Sequence, residues 1–298
     1  MKNFDTAKMI AKALQAGAKE LDISYKEIPL VPESIGLLSR LEELNLSGNR
    51  FTNLPTSIGN LSHLTSLYLS DNDQLTVLPD AIGNLSQLEN LDLSGNQLTA
   101  LPDTIGKLSR LTSLDLSVNK LTALPEPLWL LCQLKVLILS VNPFPSIPDE
   151  IGGLLQLESL HLSNTGLTVF PEWIRRLKHL AYLGLAFNRI SVVPDWIGDI
   201  SGLTSLNLES NQITSIPDSI GLLSELQLLW LDDNSISNLP DSMGKLWMLE
   251  DLCLGGNQLT TLPDSLEELF LQLEWLGLEE NPLASRPDWL ANKPNVCF

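Results

Sequence analysis

The sequence predicts an α/β solenoid, in which coiled repeats place a parallel β-sheet on one face and short helical or 3₁₀ returns on the other. Two observations predict this fold. A pattern of leucines recurs every 23 residues along nearly the whole chain, and each unit divides into a strand-like half and a helix-like half. Hydrophobic residues make up 44% of the 298 residues, which excludes a disordered chain.

The repeat has the consensus LxxLxLxxNxLxxLPxxIGxLxx and occurs twelve times between residues 18 and 290. The spacing is 23 residues throughout, except for 24 after Leu64 and after Leu249. Chance does not hold one phase through so many units, so each unit is interpreted as one coil. The units begin at Ala18, Leu41, Leu64, Leu88, Leu111, Leu134, Leu157, Leu180, Leu203, Leu226, Leu249 and Leu273.

Residues 1–17 are predicted to cap the first coil, because a solenoid exposes its core at both ends. A helix is expected over residues 5–16, with Asp5 or Thr6 capping its start and Gly17 at its stop. A helix lying on a membrane surface is the alternative. The apolar face of this helix is formed by Met9, Ile10, Ala13 and Leu14.

The strand half of each unit is explained by the alternation of side chains along a β-strand. In the unit that begins at Leu88, Leu91 and Leu93 point inward, whereas Asn90 and Asp92 point outward. Each buried leucine contributes about 1.5–3 kcal/mol. No unit can bury its apolar face alone, so neighbouring strands are expected to pair in a parallel sheet.

An asparagine stands where ten of the twelve strands end, and Asn96 is one example. Its amide has donors and an acceptor that can satisfy backbone groups in the turn and in the next coil. The exceptions are Lys26 and Thr165, and we expect a local weak point at Thr165. The ten are Asn49, Asn72, Asn96, Asn119, Asn142, Asn188, Asn211, Asn234, Asn257 and Asn281.

The return half carries an acidic residue after its proline in eleven of the twelve units, and only Thr56 departs. We expect these carboxylates to satisfy amides at the start of the return. Without these eleven, 25 acidic residues remain against 18 basic ones, so most of the net charge of −18 is attributed to the fold. Residues 291–298 are predicted to form a C-terminal cap or tail, and Trp289 and Phe298 are candidate lids of the last coil.

These two halves, LxxLxLxxN and LPxxIGxL, resemble the leucine-rich repeat superfamily over residues 18–290, and specifically its 23-residue subclass. That subclass includes Scribble-like and Ras-suppressor-like animal proteins, plant Ras-group-related proteins and bacterial proteins, some of them effectors delivered into host cells. The resemblance implies a right-handed horseshoe or arc with strands on the concave face and returns on the convex face. It implies protein binding far more often than catalysis, with small GTPases or their regulators as partners.

Candidate binding residues lie at the outward positions of the strands, which the repeat leaves free to vary. From the sixth unit onward these positions carry large apolar side chains, and such exposed patches are typical of partner sites. An acidic border favours a partner with a basic and apolar surface. The alternative is scattered hydrophobic residues without a common site, or a dimer contact. The predicted site comprises Tyr68, Val136, Ile138, His161, Tyr182, Phe187, Leu228, Trp230, Asp232, Asp251 and Trp275.

Two further features lie on the predicted convex side. Trp173 and Trp196 occupy the same slot in successive units and are expected to be neighbours, packed between returns. A second contact surface is the alternative. The sequence RRLKH at 175–179 is either a small docking patch or a solvated turn.

Catalysis is not expected. His161 and Cys253 both face outward, but four repeats separate them, about 19 Å at the strand spacing of a sheet. No phosphate loop, GxSxG sequence or cluster of metal ligands is present, so neither cofactor nor metal is predicted. The acidity disfavours nucleic acid and anionic membranes as partners.

The sequence therefore predicts a non-enzymatic protein-recognition module, with a monomer favoured. A bacterial effector acting on a eukaryotic target and a regulatory segment of a larger enzyme are the alternatives. Three widely spaced cysteines, the absence of an uninterrupted apolar stretch near residue 1 and the absence of a membrane span favour a cytoplasmic location, or a host cell if the protein is an effector.

Overall fold

The computed structural model describes residues 6–285, 287–290 and 296–297. The chain divides into two compact units, Met1–Pro145 and Ser146–Phe298. In each unit, three-residue strands pair in parallel and in chain order, so that equal positions of successive repeats are partners, as Glu20 with Glu43 and Tyr182 with Ser205. The predicted α/β solenoid of repeats is therefore confirmed.

The first unit contains one helix and six strands. The helix α1 spans Thr6–Ala16 and buries Thr6, Ile10 and Ala13. The strands are β1 Glu20–Asp22, β2 Glu43–Asn45, β3 Ser66–Tyr68, β4 Asn90–Asp92, β5 Ser113–Asp115 and β6 Val136–Ile138.

The second unit contains seven strands and one short helix among its described residues. The strands are β7 Ser159–His161, β8 Tyr182–Gly184, β9 Ser205–Asn207, β10 Leu228–Trp230, β11 Asp251–Cys253, β12 Trp275–Gly277 and β13 Val296–Cys297. The helix α2 spans Leu266–Phe270. The predicted C-terminal cap supplies β13, which pairs with β12. Phe298 lies outside the described residues, and Trp289 belongs to the 3₁₀ turn Asp288–Leu290.

The core follows the predicted inward positions. In the unit that begins at Leu88, Leu93, Leu98, Ile105 and Leu108 are fully buried. The leucine in the middle of each strand from β2 to β12 is also buried, whereas Leu167 and Leu283, at the position of Leu98, are only half-buried. Among the described residues, no helix combines the length and the apolar character that crossing a lipid bilayer requires.

Short 3₁₀ turns form the returns. Each five-residue turn begins at the residue after a proline, and that proline is extended, as at Pro102 (φ −69°, ψ 146°). The turns are Glu33–Leu37, Thr56–Asn60, Asp80–Asn84, Asp103–Lys107 and Glu126–Leu130 in the first unit, and Asp149–Gly153, Glu172–Arg176, Asp195–Asp199, Asp218–Leu222 and Asp241–Lys245 in the second.

The acidic residues lie in the first turn of these returns, as predicted, but they do not cap their own turns. The proline occupies the capping position, and none of the ten five-residue turns has a side-chain cap hydrogen bond. The acidic residue comes one position too late to cap the turn. The Glu33 carboxylate instead accepts a hydrogen bond from the backbone N–H of Ser57 in the next return, at 3.1 Å.

The repeat asparagines satisfy the turn as predicted, but the coil that they join to it is the preceding one and not the next one. The Asn119 side chain donates to the carbonyls of Leu93, Leu116 and Ser117 at 2.9–3.1 Å and accepts from the Leu98 N–H at 3.0 Å. At the second exception, the Thr165 hydroxyl donates a hydrogen bond to the Leu162 carbonyl, at 2.7 Å. One amide therefore satisfies four backbone groups where a threonine satisfies one carbonyl.

Candidate partner-binding surface

The strand face is the surface formed by the first and third residues of each three-residue strand and by the residues that directly follow it. In β10, Leu229 is fully buried while Leu228 and Trp230 on either side are half-buried. Trp275 is 43% exposed at the start of β12. The structure therefore places the predicted aromatic residues on the sheet and not beneath it.

In the first unit, the predicted residues do not form one patch. Tyr68 ends β3 and pairs in register with Asp92, whereas Ile138 ends β6 and pairs with Asp115. Two strands with acidic outward residues thus separate Tyr68 from Val136 and Ile138. Burial raises the pKa of the Asp115 carboxyl, although hydrogen bonds from Ser117 act in the opposite direction.

In the second unit, His161 and Tyr182 form a stacked pair. Their ring centroids are 4.3 Å apart at an interplanar angle of 24°, and His161 Nε2 lies 2.9 Å from the Ser159 hydroxyl. Gly184 provides the space, because a Cβ there would lie 3.0 Å from Tyr182 Cε1. Burial lowers the pKa of His161 below 6.5 and raises that of Tyr182 above 10.0, so the pair is uncharged at neutral pH. Phe187, which is 56% exposed, follows β8.

A second group of large side chains lies on β10–β12. Trp230 is flanked in register by Asn207 and Cys253, which are both small. Trp275 leans over Gly277, because a Cβ on that glycine would lie 3.5 Å from Trp275 Nε1. Between this group and the His161–Tyr182 pair lies β9, whose outward residues are Ser205 and Asn207.

Carboxylates surround the second group. Asp232 accepts a hydrogen bond from the Gly255 N–H at 2.9 Å, and its pKa is raised mainly by burial and further by Glu209 and Glu279. Burial, followed by the charges of Asp232, Asp251, Glu279 and Glu209, raises the pKa of the Cys253 thiol to about 12. Cys253 is therefore a protonated thiol at neutral pH, at the centre of a negative surface.

Three sequence profiles match the chain. The profile described as leucine-rich repeat region matches residues 171–274, leucine rich repeat matches 39–98 and 132–190, and leucine rich repeats (2 copies) matches 86–128. A solved leucine-rich repeat protein from Leptospira interrogans is 32% identical, with 92% of this chain and 93% of that chain covered and a TM-score of 0.67. The chain belongs to the leucine-rich repeat superfamily.

Other leucine-rich repeat structures match this chain at lower sequence identity but with higher TM-scores. An internalin (inlF) from Listeria monocytogenes has a TM-score of 0.78 at 23% identity, covering 99% of this chain and 94% of that one, which shows the shared fold. The plant peptide hormone receptor RGFR1, solved in complex with RGF2, is 29% identical with a TM-score of 0.73. That match covers 90% of this chain but 45% of the receptor chain. No curated protein sequence matches the chain.

On the opposite side of this leucine-rich repeat protein, the returns of the second unit bury Trp173, which is 3% exposed. Trp196 packs edge-on against Phe170, with centroids 5.3 Å apart at 84°. The Cβ of Trp173 lies close to Gly152, 2.9 Å from where a Cβ on that glycine would stand. The burial of Trp173 agrees with its predicted role of packing between returns. The aromatic ring that contacts Trp196 is that of Phe170.

The basic sequence at 175–179 lies beside a surface cavity of about 580 Å³ that also contains Asp149, Glu172 and Asp199. Arg175 pairs with Glu172 at 3.3 Å and with Asp199 at 3.5 Å, and Lys178 donates to the Asp199 carbonyl at 3.1 Å. These contacts neutralise much of the basic charge. Sequence reasoning missed them because the carboxylate of Asp199 comes from the next repeat.

Sequence reasoning also missed an exposed apolar group on the turns that precede β11 and β12. Trp247 is 57% and Leu271 is 79% exposed, and Met248 is also exposed. The sequence does indicate this group, because the two preceding repeats have a serine, Ser201 and Ser224, at the position of Trp247.

No metal centre is found in the described part of the chain, where no three His, Cys, Asp or Glu side chains are grouped to hold an ion. His161 ends β7 and Cys253 ends β11. Three strands lie between them, so the two side chains form no nucleophile–base pair.

Proposed function

We propose that this protein is a non-enzymatic recognition module that binds a partner protein on the strand face of its second unit. The observation that carries the proposal is the set of large side chains at outward strand positions. Tyr182, Leu228, Trp230 and Trp275 occupy positions where β9 has Ser205 and Asn207. Packing of the repeat does not require them, and aromatic side chains of this kind are typical anchors of protein interfaces.

The partner is expected to present a basic and apolar surface. Glu209, Asp232, Asp251 and Glu279 all raise the pKa of Cys253, and no lysine or arginine stands at an outward position of β9–β12 or directly after these strands. Complementary charge on the partner would speed association and fix its orientation. The apolar rings would supply most of the affinity.

Comparison with known structures supports a protein partner. The plant receptor RGFR1 was solved in complex with RGF2, and internalin F shares the fold along nearly its whole length. A role in signalling is a proposal drawn from the receptor. A bacterial effector that acts on a host protein is the second candidate, favoured by the Leptospira and Listeria proteins among the similar structures, and its location would then be a host cell instead of the cytoplasm.

Affinity capture of partner proteins tests the proposal. The variant Tyr182→Ala/Trp230→Ala is expected to lose the partner that the wild type retains, because interface aromatics cost about 2–4 kcal/mol each when truncated. Trp247→Ala is the matched control, since it removes an exposed tryptophan outside the strand face. Retention of the partner by the double variant, with folding verified by circular dichroism, would contradict the proposal.

A further inference from the structure

Two carboxyl groups converge over Gly255, in the segment that follows β11. A Cβ on Gly255 would lie 2.9 Å from Glu279 Cδ and 3.1 Å from Asp232 Oδ1. Asp232 comes from the preceding repeat and Glu279 from the following one. The absence of a side chain at position 255 therefore allows the two acidic groups to approach each other.

One oxygen of this carboxyl pair is buried without a hydrogen-bond donor. Glu279 Oε2 is buried and makes no hydrogen bond. A buried carboxylate oxygen without a donor destabilises the folded chain. No ion pair to Asp232 or Glu279 exists among the described residues, and the strand face of β9–β12 contains no lysine or arginine. The negative charge of this carboxyl pair is therefore not compensated among the described residues, which favours a cationic group from the partner.

Two tryptophans, Trp230 and Trp275, lie on the strands that precede Asp232 and Glu279. In register, β10 to β12 present Trp230, Cys253 and Gly277 side by side. The indole of Trp275 leans over Gly277, and the small side chain of Cys253 stands between the positions of the two tryptophans. We call this place the Trp230–Trp275 notch, which comprises Trp230, Cys253 and Trp275 together with Asp232 and Glu279, two of the residues that follow the strands.

We propose that the Trp230–Trp275 notch binds an arginine side chain of the partner protein. The inference rests on the proposed function and adds the chemistry of the residue that is recognised. A guanidinium is planar, so it packs against indole rings, and it presents several N–H donors to carboxylate oxygens. A lysine ammonium is a strongly hydrated point charge that fills such a slot less well.

Titration of the full chain with N-acetyl-arginine amide tests the inference, observed through the indole N–H signals of its seven tryptophans by NMR. Trp230→Phe and Trp275→Phe assign the two relevant signals. Arginine is expected to shift these two signals saturably and to leave that of Trp247 unchanged. N-acetyl-citrulline amide, the uncharged analogue of the same shape, is expected to produce no shift, and N-acetyl-lysine amide a weaker one. All titrations use matched ionic strength.

Glu279→Gln is the sharpest test of the carboxylate's role. It is expected to weaken arginine binding about tenfold, because a hydrogen bond to a charged group is lost. It should also raise the melting temperature, because the buried oxygen without a donor is replaced by an uncharged group, so loss of binding would not reflect unfolding. Glu225→Gln makes the same chemical change at an exposed position and should leave both quantities unchanged.

Equal shifts with arginine and citrulline, tighter binding of lysine, or unchanged arginine affinity in Glu279→Gln would each overturn the inference. Failure of the titration, while Tyr182→Ala/Trp230→Ala still abolishes partner capture, would overturn the arginine assignment and leave the proposed function standing. Partner capture that survives the double variant would overturn both, because the notch would then have no partner to bind.

Discussion

At the scale of single residues, the residue before each repeat asparagine has a left-handed backbone. Small residues adopt it at Gly48, Gly95 and Gly256 (φ 64–67°), but Val118 and Val141 also adopt it at φ 53° and 58°. This conformation costs an L-residue about 1–2 kcal/mol, and β-branched residues are the least suited to it. The Val118 side chain is 51% exposed, so its burial offsets little of this conformational cost.

Replacing Val118 with asparagine should stabilise the protein. Asparagine tolerates the left-handed region and already occupies the equivalent position at Asn164. We expect the free energy of unfolding to rise by about 1 kcal/mol, measured by urea denaturation. Val169→Asn, at an exposed valine without a left-handed backbone, is the control and should give no increase. An equal increase in both variants would show that the left-handed conformation is not the cause.

Cys253 should be an unreactive thiol. With a pKa of about 12, only about one molecule in 10⁴ carries the thiolate at pH 8, and the thiolate is the reactive form. In a Cys132→Ser/Cys297→Ser background, reaction with Ellman's reagent at pH 8 should therefore be far slower than that of a free thiol. Unfolding in urea should restore the ordinary rate. Fast reaction of the folded protein would show that Cys253 is neither buried nor surrounded by carboxylates as described.

At the scale of the repeat, the asparagine is the element that joins one coil to the next. Asn211 donates to the carbonyls of Leu185, Leu208 and Glu209 and accepts from the Ile190 N–H. Asn211→Thr should lose most of these bonds and cost about 2–4 kcal/mol. Urea denaturation measures this cost, and Thr165→Asn should stabilise the protein. Equal stability of Asn211→Thr and wild type would contradict this role.

Much of the fold follows from the period of the sequence. A strand that alternates its side chains and a fixed repeat length together determine which residues pair, so the register of β7 to β12 was predictable. The period does not explain the two repeats of 24 residues. In the one that begins at Leu64, the Leu75 N–H donates to the Asn72 carbonyl, and Asn96 Oδ1 has no hydrogen-bond partner.

The glycine of the IG pair has a structural reason that sequence reasoning did not supply. A Cβ on Gly36 would lie 2.5 Å from the Ser57 carbonyl oxygen, so the returns of successive repeats approach backbone to backbone. In the sequence LEELF at 266–270 this glycine is absent, and the return is the helix α2 instead of a 3₁₀ turn.

The candidate site was predictable only as a set of outward positions. Alternation along the strands identifies Tyr182, Trp230 and Trp275 as outward residues. The stacking of His161 on Tyr182 and the approach of Glu279 to Asp232 depend on side-chain conformations in strands of different repeats. No local pattern encodes these conformations, so the sequence predicts which residues face outward but not which of them meet.

At the scale of the whole molecule, the net charge of −18 is divided between the returns and the strand face. The acidic residues of the returns lie in the first turn, where the dipole of the turn favours a carboxylate, although they do not cap their own turns. On the strand face of β9–β12, neighbouring carboxylates raise the pKa of Asp232 and of Cys253, in addition to the larger effect of burial. A positively charged partner would relieve this repulsion, whereas the monomeric state and the cytoplasmic location remain predictions.

Hydroxyl-radical footprinting of the partner-bound protein, read by mass spectrometry, tests the central claim most directly. Trp230, Trp275 and Trp247 differ in position but are the same residue type, so their oxidation rates can be compared within one sample. The account predicts that the bound partner protects Trp230 and Trp275 and leaves Trp247 as reactive as in the free protein. Protection of Trp247 alone would place the partner outside the strand face and contradict the account.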